Sequence, residues 1–169
     1  SYLNWIYEQA GAVKDAENLV SLDPDTWAGA DSLTAARRGA GAACAGVDRL
    51  MGGESLRVFS AMRPPGHHAE PEKAMGFCLF SNAAIAAEYA RKTYNLTRIA
   101  VLDFDVHHGN GSEDIFRDDE RVMMCSIFEK DLYPSLIKYL VDNINPKNNF
   151  GSEILGLLEN SKHDVDLNK

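Results

Sequence analysis

Three side chains suited to metal chemistry, Asp103, Asp105 and His107, follow one short apolar run. The run from Ile99 to Leu102 is short and β-branched, which favours a strand, and the alternation of apolar and polar residues continues through His107. Because strand side chains point alternately to opposite faces, the three polar residues are predicted to share one face. Oxygen and nitrogen donors suit Zn²⁺ or a similar first-row ion. The spacing therefore predicts a metal site, against the simpler alternative of a hydrogen-bonded strand end.

Two further features strengthen the metal hypothesis. The turn Gly109-Asn110-Gly111 leads into a predicted helix, where backbone N–H groups have no partner within the helix. A second histidine pair, His67 and His68, follows a predicted strand from Val58 to Met62 and a proline-rich turn. Such a turn holds the backbone rigidly, as catalytic imidazoles require. Four of the five histidines lie in these two pairs, His67-His68 and His107-His108.

The elements that must position these residues are predicted helices, strands and turns spaced along the chain. The chain of 169 residues is 45% apolar, enough for one globular core. Hydrophobic spacing and capping residues predict helices and turns around the two polar strand ends. The predicted elements are a helix over residues 1–14, a turn at Leu22–Thr26, a helix Leu33–Met51 capped by Ser32, a helix Asn82–Thr93, and a strand Val122–Phe128.

The composition of the chain predicts which partners it binds and in which compartment it works. The formal charge of −8 argues against direct nucleic-acid binding and would suit a cationic substrate. No segment has the length and apolarity of a membrane span, and no signal peptide is visible. The three cysteines Cys44, Cys78 and Cys125 form no C-x-x-C pair. We therefore expect a reduced, cytoplasmic chain without membrane contact.

Three segments of the sequence resemble the zinc-dependent histone deacetylase and acetylpolyamine amidohydrolase family, in its class II-like branch. They are RPPGHHAEPEKAMGFCLFSNAAIAA, VLDFDVHHGNGSEDIF and VMMCSIF, and the similarity runs from about Ser1 to Pro134. The resemblance implies a truncated three-layer α/β/α, arginase-like fold with a mainly parallel sheet and a site at the carboxyl ends of the strands. It also implies zinc-dependent hydrolysis of N-acetyl-lysine or acetylpolyamine amides. The Ala- and Arg-rich body looks bacterial.

The resemblance implies a role for each site residue. Asp105 and His107 would be two of three zinc ligands, while His67 and His68 would bind and deprotonate the attacking water. Asp103 would orient His67, and Asn110 stands where some relatives have an acid behind the second histidine. Gly76 and Phe77 would line the substrate channel. A structural K⁺ site is implied at Asp103, Ser126 and Ile127, together with Asp105 and His107.

The family pattern stops near Pro134. Its third, carboxylate zinc ligand and its oxyanion-binding Tyr are not recognisable, although His163, Asp164 and Asp166, or Tyr133 and Tyr139, are weak candidates for these roles. Residues 136–169 contain six Asn but neither Ala nor Arg, whereas residues 1–135 contain 20 Ala and nine Arg. We therefore predict a family domain over 1–135 and a non-matching tail over 136–169 with two short helices, derived from another reading frame or a gene fusion.

Two other functions stay open at this level. The first is a non-catalytic remnant that keeps the scaffold, with the tail or a second copy of the chain covering the exposed edge of the sheet. The second is a nucleotide- or phosphate-binding domain that uses Gly109-Asn110-Gly111 at a helix start. It is the weakest alternative because neither phosphate-binding glycine motif is present.

Overall fold

The structure is a computed structural model that describes residues 1–14, 18–130 and 132–134. The two predicted tail helices, and the predicted boundary at residues 135–136, lie outside the described residues. Within the described ranges the chain forms four helices and four short strands. They are α1 (Tyr2–Gly11), β1 (Val20–Asp23), β2 (Thr26–Ala28), α2 (Ser32–Met51), α3 (Asn82–Tyr94), β3 (Ile99–Asp103), α4 (Asn110–Phe116) and β4 (Val122–Ser126).

A parallel strand pair connected through a helix forms the second half of the fold. β3 and β4 pair in parallel from Ile99 opposite Val122 to Asp103 opposite Ser126, with α4 in the connection between them. On the inner face, Ile99 and Val101 pack against a core cluster of α3, α4 and β4 residues. Apolar side chains buried between strand and helix are what hold a βαβ unit together. This arrangement places the carboxyl ends of both strands at one edge.

The opposite face of this sheet carries large exposed apolar side chains. Leu102 of β3 is 68% exposed and Met123 of β4 60%, and directly beyond the strand ends Phe104 is 88% and Ile127 75% exposed. A parallel sheet is normally covered by helices on both faces, so its strands are apolar on both sides. The composition of these strands therefore corresponds to a three-layer architecture in which a second helical layer would pack here.

The first half of the fold is a helix and a hairpin packed on the long helix α2. Ile6 and Ala10 of α1 share a buried cluster with Leu22 of β1 and Ala36 of α2. The predicted turn at Leu22–Thr26 is present, and it joins two antiparallel strands that were not predicted. None of the helices in the described ranges combines the length and the apolar character that crossing a membrane requires.

Some predicted boundaries are wrong. Val58–Met62 is not a strand: its backbone enters no ladder in the described residues, and Phe59 is 90% exposed. Ser32 is the first residue of α2 rather than its cap, which is Asp31, because the Ser32 hydroxyl accepts a bond from the Gly29 N–H instead. β4 ends at Ser126, two residues before the predicted end.

Candidate active site

The loop after β3 brings the side chains of Asp105 and His107 into contact with each other. The predicted strand through His107 is wrong because β3 ends at Asp103. Local hydrogen bonds replace the ladder: the Asp105 N–H donates to Oδ1 of Asp103 at 3.2 Å, and the His107 N–H donates to Oδ1 of Asp105 at 2.8 Å. Asp side chains that accept from the backbone two residues on form such turns. The His107 ring follows, with Nδ1 lying 3.0 Å from Oδ1 of Asp105.

The first histidine of the second pair is held by a buried carboxylate. Nδ1 of His67 donates to Oδ2 of Asp103 at 2.9 Å. Burial alone would raise the pKa of Asp103, but the bonds from His67 and from the Asp105 N–H lower it below its ordinary value. Gly109 packs so closely on this pair that a Cβ there would overlap Oδ2 of Asp103 and lie 3.2 Å from Nδ1 of His67. The structure therefore brings Asp103 and His67 together, and the orienting role of Asp103 stays a prediction.

The second histidine is buried and paired with an amide. His68 is 4% exposed, and its Nδ1 lies 2.7 Å from Oδ1 of Asn110, which is fully buried. Burial lowers the pKa of His68 to about 4, although the Asn110 bond acts in the opposite direction. The imidazole is therefore neutral at physiological pH, with Nε2 able to accept a proton.

The structure brings the two histidine pairs together. The rings of His67 and His68 have centroids 3.9 Å apart, and those of His68 and His107 are 6.0 Å apart. Nε2 of His67 lies 3.9 Å from Oδ1 of Asp105. Segments far apart in sequence thus meet at the carboxyl end of β3, where open α/β sheets bind ligands.

Asp105 and His107 offer the donor atoms and the spacing that a first-row cation requires, but they are only two ligands. Zinc bonds of about 2.0–2.1 Å at tetrahedral angles place two ligand atoms about 3.3 Å apart, near the 3.0 Å between these donors. A structural or catalytic zinc needs at least three protein ligands. Across residues 1–14, 18–130 and 132–134, no three His, Cys, Asp or Glu side chains form a group that could hold a metal.

Ser126 and Ile127 lie beside Asp103 at the same edge. The Ile127 N–H donates to the Asp103 carbonyl at 2.9 Å, and Ser126 pairs with Asp103 across the ladder. The Ser126 hydroxyl is buried, and within the part of the chain that the structure describes it makes no hydrogen bond. A buried polar atom without a partner needs an explanation such as an ion. The site therefore fits a cation that accepts oxygen ligands.

Gly76 and Phe77 form a turn over His68. Both have positive φ, 56° and 64°, and a Cβ at Gly76 would come within 2.6 Å of Cγ of His68. The hairpin holds this turn through two residues that the sequence analysis missed. The Gly76 N–H donates to Oδ1 of Asp25 at 3.2 Å, and the Phe77 N–H donates to Oγ1 of Thr26 at 3.0 Å. Phe77 is 62% exposed, and its role as a channel wall stays a prediction.

The ring of Tyr133 meets His68 edge-on, with centroids 4.9 Å apart. Burial, and then the neighbouring Asp25 carboxylate, raise the pKa of the Tyr133 hydroxyl. That hydroxyl is buried and makes no hydrogen bond within the described residues. Tyr139, His163, Asp164 and Asp166, the other weak candidates for missing groups, lie outside the described residues.

The turn at Gly109-Asn110-Gly111 is packed against protein rather than open to a phosphate. A Cβ at Gly111 would lie 2.6 Å from the His68 carbonyl carbon, and the Ser112 N–H donates to the His67 carbonyl at 3.1 Å. Both residues are buried. The Asn110 N–H likewise donates to the His108 carbonyl at 2.9 Å, so two of the backbone donors near this turn are already used.

Sequence reasoning also missed Glu70. Its Oε1 accepts from Nδ2 of Asn110 at 2.7 Å, directly behind His68. The only sequence signal was an acidic residue two positions after the histidine pair.

Comparison with known proteins gives consistent matches. The family model described as the histone deacetylase domain matches residues 1–156. The chain is 43% identical over 114 residues to a histone deacetylase-like amidohydrolase of Pseudomonas aeruginosa, covering 68% of this chain and 30% of that protein. It is 41% identical over 119 residues to the polyamine deacetylase HDAC10 of Mus musculus, covering 70% of this chain and 17% of that protein.

A solved structure matches as well. The crystal structure of the HDA15 HD domain superposes with a TM-score of 0.72 at 32% identity, covering 79% of this chain and 38% of that one. The predicted arginase-like α/β fold is therefore confirmed. The chain spans less than a third of the length of the two curated relatives above. Since they come from a bacterium and a mouse, the bacterial origin stays a prediction.

Proposed function

This chain belongs to the histone deacetylase family, and on that premise we propose that it carries the proton-transfer residues and two zinc ligands of a deacetylase. The substrate would be an N-acetyl-lysine side chain or an acetylpolyamine, hydrolysed to acetate and a free amine. One observation carries the proposal: a neutral, buried His68 lies beside His67 and faces the Asp105–His107 pair. A formal charge of −8 would also favour a cationic product or substrate.

In this proposal His68 is the general base. Its Nε2 would take the proton of the water that attacks the acetyl carbon, and would later give it to the leaving amine. His67, held by Asp103, would hydrogen-bond the same water and keep it in place. Asp105 and His107 would hold Zn²⁺, whose chemistry when bound is polarisation of the amide carbonyl and activation of water.

The remaining residues would shape and stabilise the site. Gly76 and Phe77 would form one wall of the acyl channel, with the turn held open by Asp25 and Thr26. Ser126, Ile127 and the Asp103–His107 loop would hold a structural K⁺, which would satisfy the buried Ser126 hydroxyl. The cytoplasmic location, the lack of nucleic-acid or membrane partners and a homo-oligomeric state remain predictions.

A second candidate function is a non-catalytic scaffold. It is favoured by the missing third donor in the described residues, because a catalytic zinc usually has three protein ligands. Such a chain would retain the histidine pairs as structural groups or as a weak metal site. The two candidates differ in whether zinc binds stoichiometrically and whether its removal stops hydrolysis.

The test combines metal analysis with hydrolysis of an acetyl-lysine peptide and of an acetylpolyamine, each with added Zn²⁺ and with a chelator. His68→Ala should abolish chelator-sensitive turnover. Glu72→Ala, an exposed acidic residue of the same loop, is the matched control and should retain it. Stoichiometric zinc without turnover would support the scaffold. Neither zinc nor turnover in the wild-type chain would refute the deacetylase proposal.

A further inference from the structure

We propose that Glu70 is a positioning residue that acts through Asn110 to keep His68 in the tautomer protonated on Nδ1. This inference rests on the proposed function only for its catalytic consequence. The tautomer itself follows from three side chains in a row: Glu70, Asn110 and His68.

The hydrogen bonds fix which way the Asn110 amide points. Oε1 of Glu70 lies 2.7 Å from Nδ2 of Asn110, and Oδ1 of Asn110 lies 2.7 Å from Nδ1 of His68. A carboxylate has only acceptor atoms, so the amide must present its NH₂ to Glu70. Its oxygen then faces His68 and can only accept. Nδ1 of His68 must therefore carry the proton, which leaves the lone pair on Nε2.

Burial and further contacts hold the side chains of Glu70, Asn110 and His68 in place. Asn110 is fully buried and His68 is 4% exposed, so water cannot substitute for a lost partner without cost. The second contact of the Asn110 NH₂ is Sδ of Met75 at 3.4 Å, a weak acceptor on the same side as Glu70. The Glu70 backbone is itself fixed by donation from its N–H to the Lys73 carbonyl at 3.0 Å.

Removing the Glu70 carboxylate takes away the charged acceptor that holds the Asn110 NH₂. The amide could rotate by half a turn and present NH₂ to Nδ1 of His68. That nitrogen would then have to accept, and the proton would move to Nε2. In this tautomer Nε2 cannot take a proton from water, so His68 would lose its role as a base.

The catalytic test is Glu70→Ala against the Glu72→Ala control. We expect kcat to fall about 10- to 100-fold with KM unchanged, which is the range typical of residues that orient a side chain of the active site. Asn110→Asp should also reduce kcat, because it sets two carboxylates against each other. The double variant Glu70→Gln/Asn110→Asp should recover most of the activity, since the Gln NH₂ donates to the introduced carboxylate and His68 again donates from Nδ1.

A spectroscopic test separates this inference from the proposed function. ¹⁵N chemical shifts of labelled histidine report which ring nitrogen of His68 is protonated, whether or not the chain hydrolyses anything. We expect Nδ1–H in the wild-type chain and a partial or full change to Nε2–H in Glu70→Ala. If that variant fails to fold, Glu70→Leu, which fills much of the same volume and has no hydrogen-bond acceptor, replaces it. Nε2–H in the wild-type chain, or an unchanged tautomer in the folded Glu70 variant, would overturn the inference.

Discussion

Replacing Gly109 by alanine tests whether the Asp103–His67 pair is held as tightly as its geometry requires. The new Cβ would overlap Oδ2 of Asp103 and lie 3.3 Å from its Cγ, so the carboxylate must move away from His67. Overpacking a closed site costs about 1–3 kcal/mol, and losing a hydrogen bond to a charged group costs about 1.5–3 kcal/mol. These costs overlap, because moving the carboxylate relieves the clash by breaking the bond. We expect a loss of about 2–3 kcal/mol in the free energy of unfolding.

The assay is urea denaturation at neutral pH, with thermal unfolding alongside. For a chain of this size the expected loss lowers Tm by about 4–12 °C. Gly41→Ala is the matched control: Gly41 lies inside α2, and a Cβ there meets nothing within 4 Å. That substitution should stabilise the chain by about 1 kcal/mol through helix propensity. A Gly109→Ala chain as stable as wild type would refute the packing argument, since the carboxylate and His67 would then have room to spare.

Two further predictions concern the scaffold. Burial raises the pKa of Cys78 to about 11, whereas Cys125 is exposed. At pH 8, iodoacetamide should therefore modify Cys125 in the native chain and Cys78 only in denaturant, as mass spectrometry of the peptides would show. Equal modification rates for the two cysteines in the native chain would contradict the buried position of Cys78. The hydroxyls of Tyr89 and Tyr94 both donate to Oδ1 of Asp48 at 2.8 Å, joining α3 to α2. Changing either Tyr to Phe should lower the midpoint of urea denaturation, and unchanged stability in both variants would show that the bonds contribute nothing.

The elements that sequence predicted correctly are those specified by nearby residues. α3 matches its predicted helix to within one residue at its end, and the strand–turn–helix from Ile99 follows from a β-branched run before glycines. The strand predicted at Val58–Met62 failed because a strand exists only with a neighbour, which the local pattern does not encode. The loop holding His107 likewise deviates from strand geometry because Asp103 and Asp105 accept backbone bonds that a ladder would otherwise make.

Residues that contact the site histidines directly were easier to predict than residues that act on them through a third residue. The family resemblance predicts that Asp103 orients His67, and the structure places the two side chains 2.9 Å apart. Glu70, like Asp25, acts on the site from outside it, through a hydrogen bond to another residue. Such a contact depends on how two loops approach each other, here on the absence of a side chain at Gly111. One sequence carries no pattern that specifies this approach.

His67 and His68 are held more firmly by the protein than Asp105 and His107 are. This difference determines which side chains a bound metal would affect. His67 and His68 lie under protein: their backbone packs on Gly111, and the Ser112 N–H bonds to the His67 carbonyl. The side chains of Asp105 and His107 are 49% and 42% exposed and are held mainly by each other and by their own backbone. The hydrogen bonds of His67 with Asp103 and of His68 with Asn110 involve neither Asp105 nor His107, so the fold preorganises the two histidines without them. If Asp105 and His107 bind zinc as proposed, we expect its removal to loosen these two side chains while the hydrogen bonds of His67 and His68 persist.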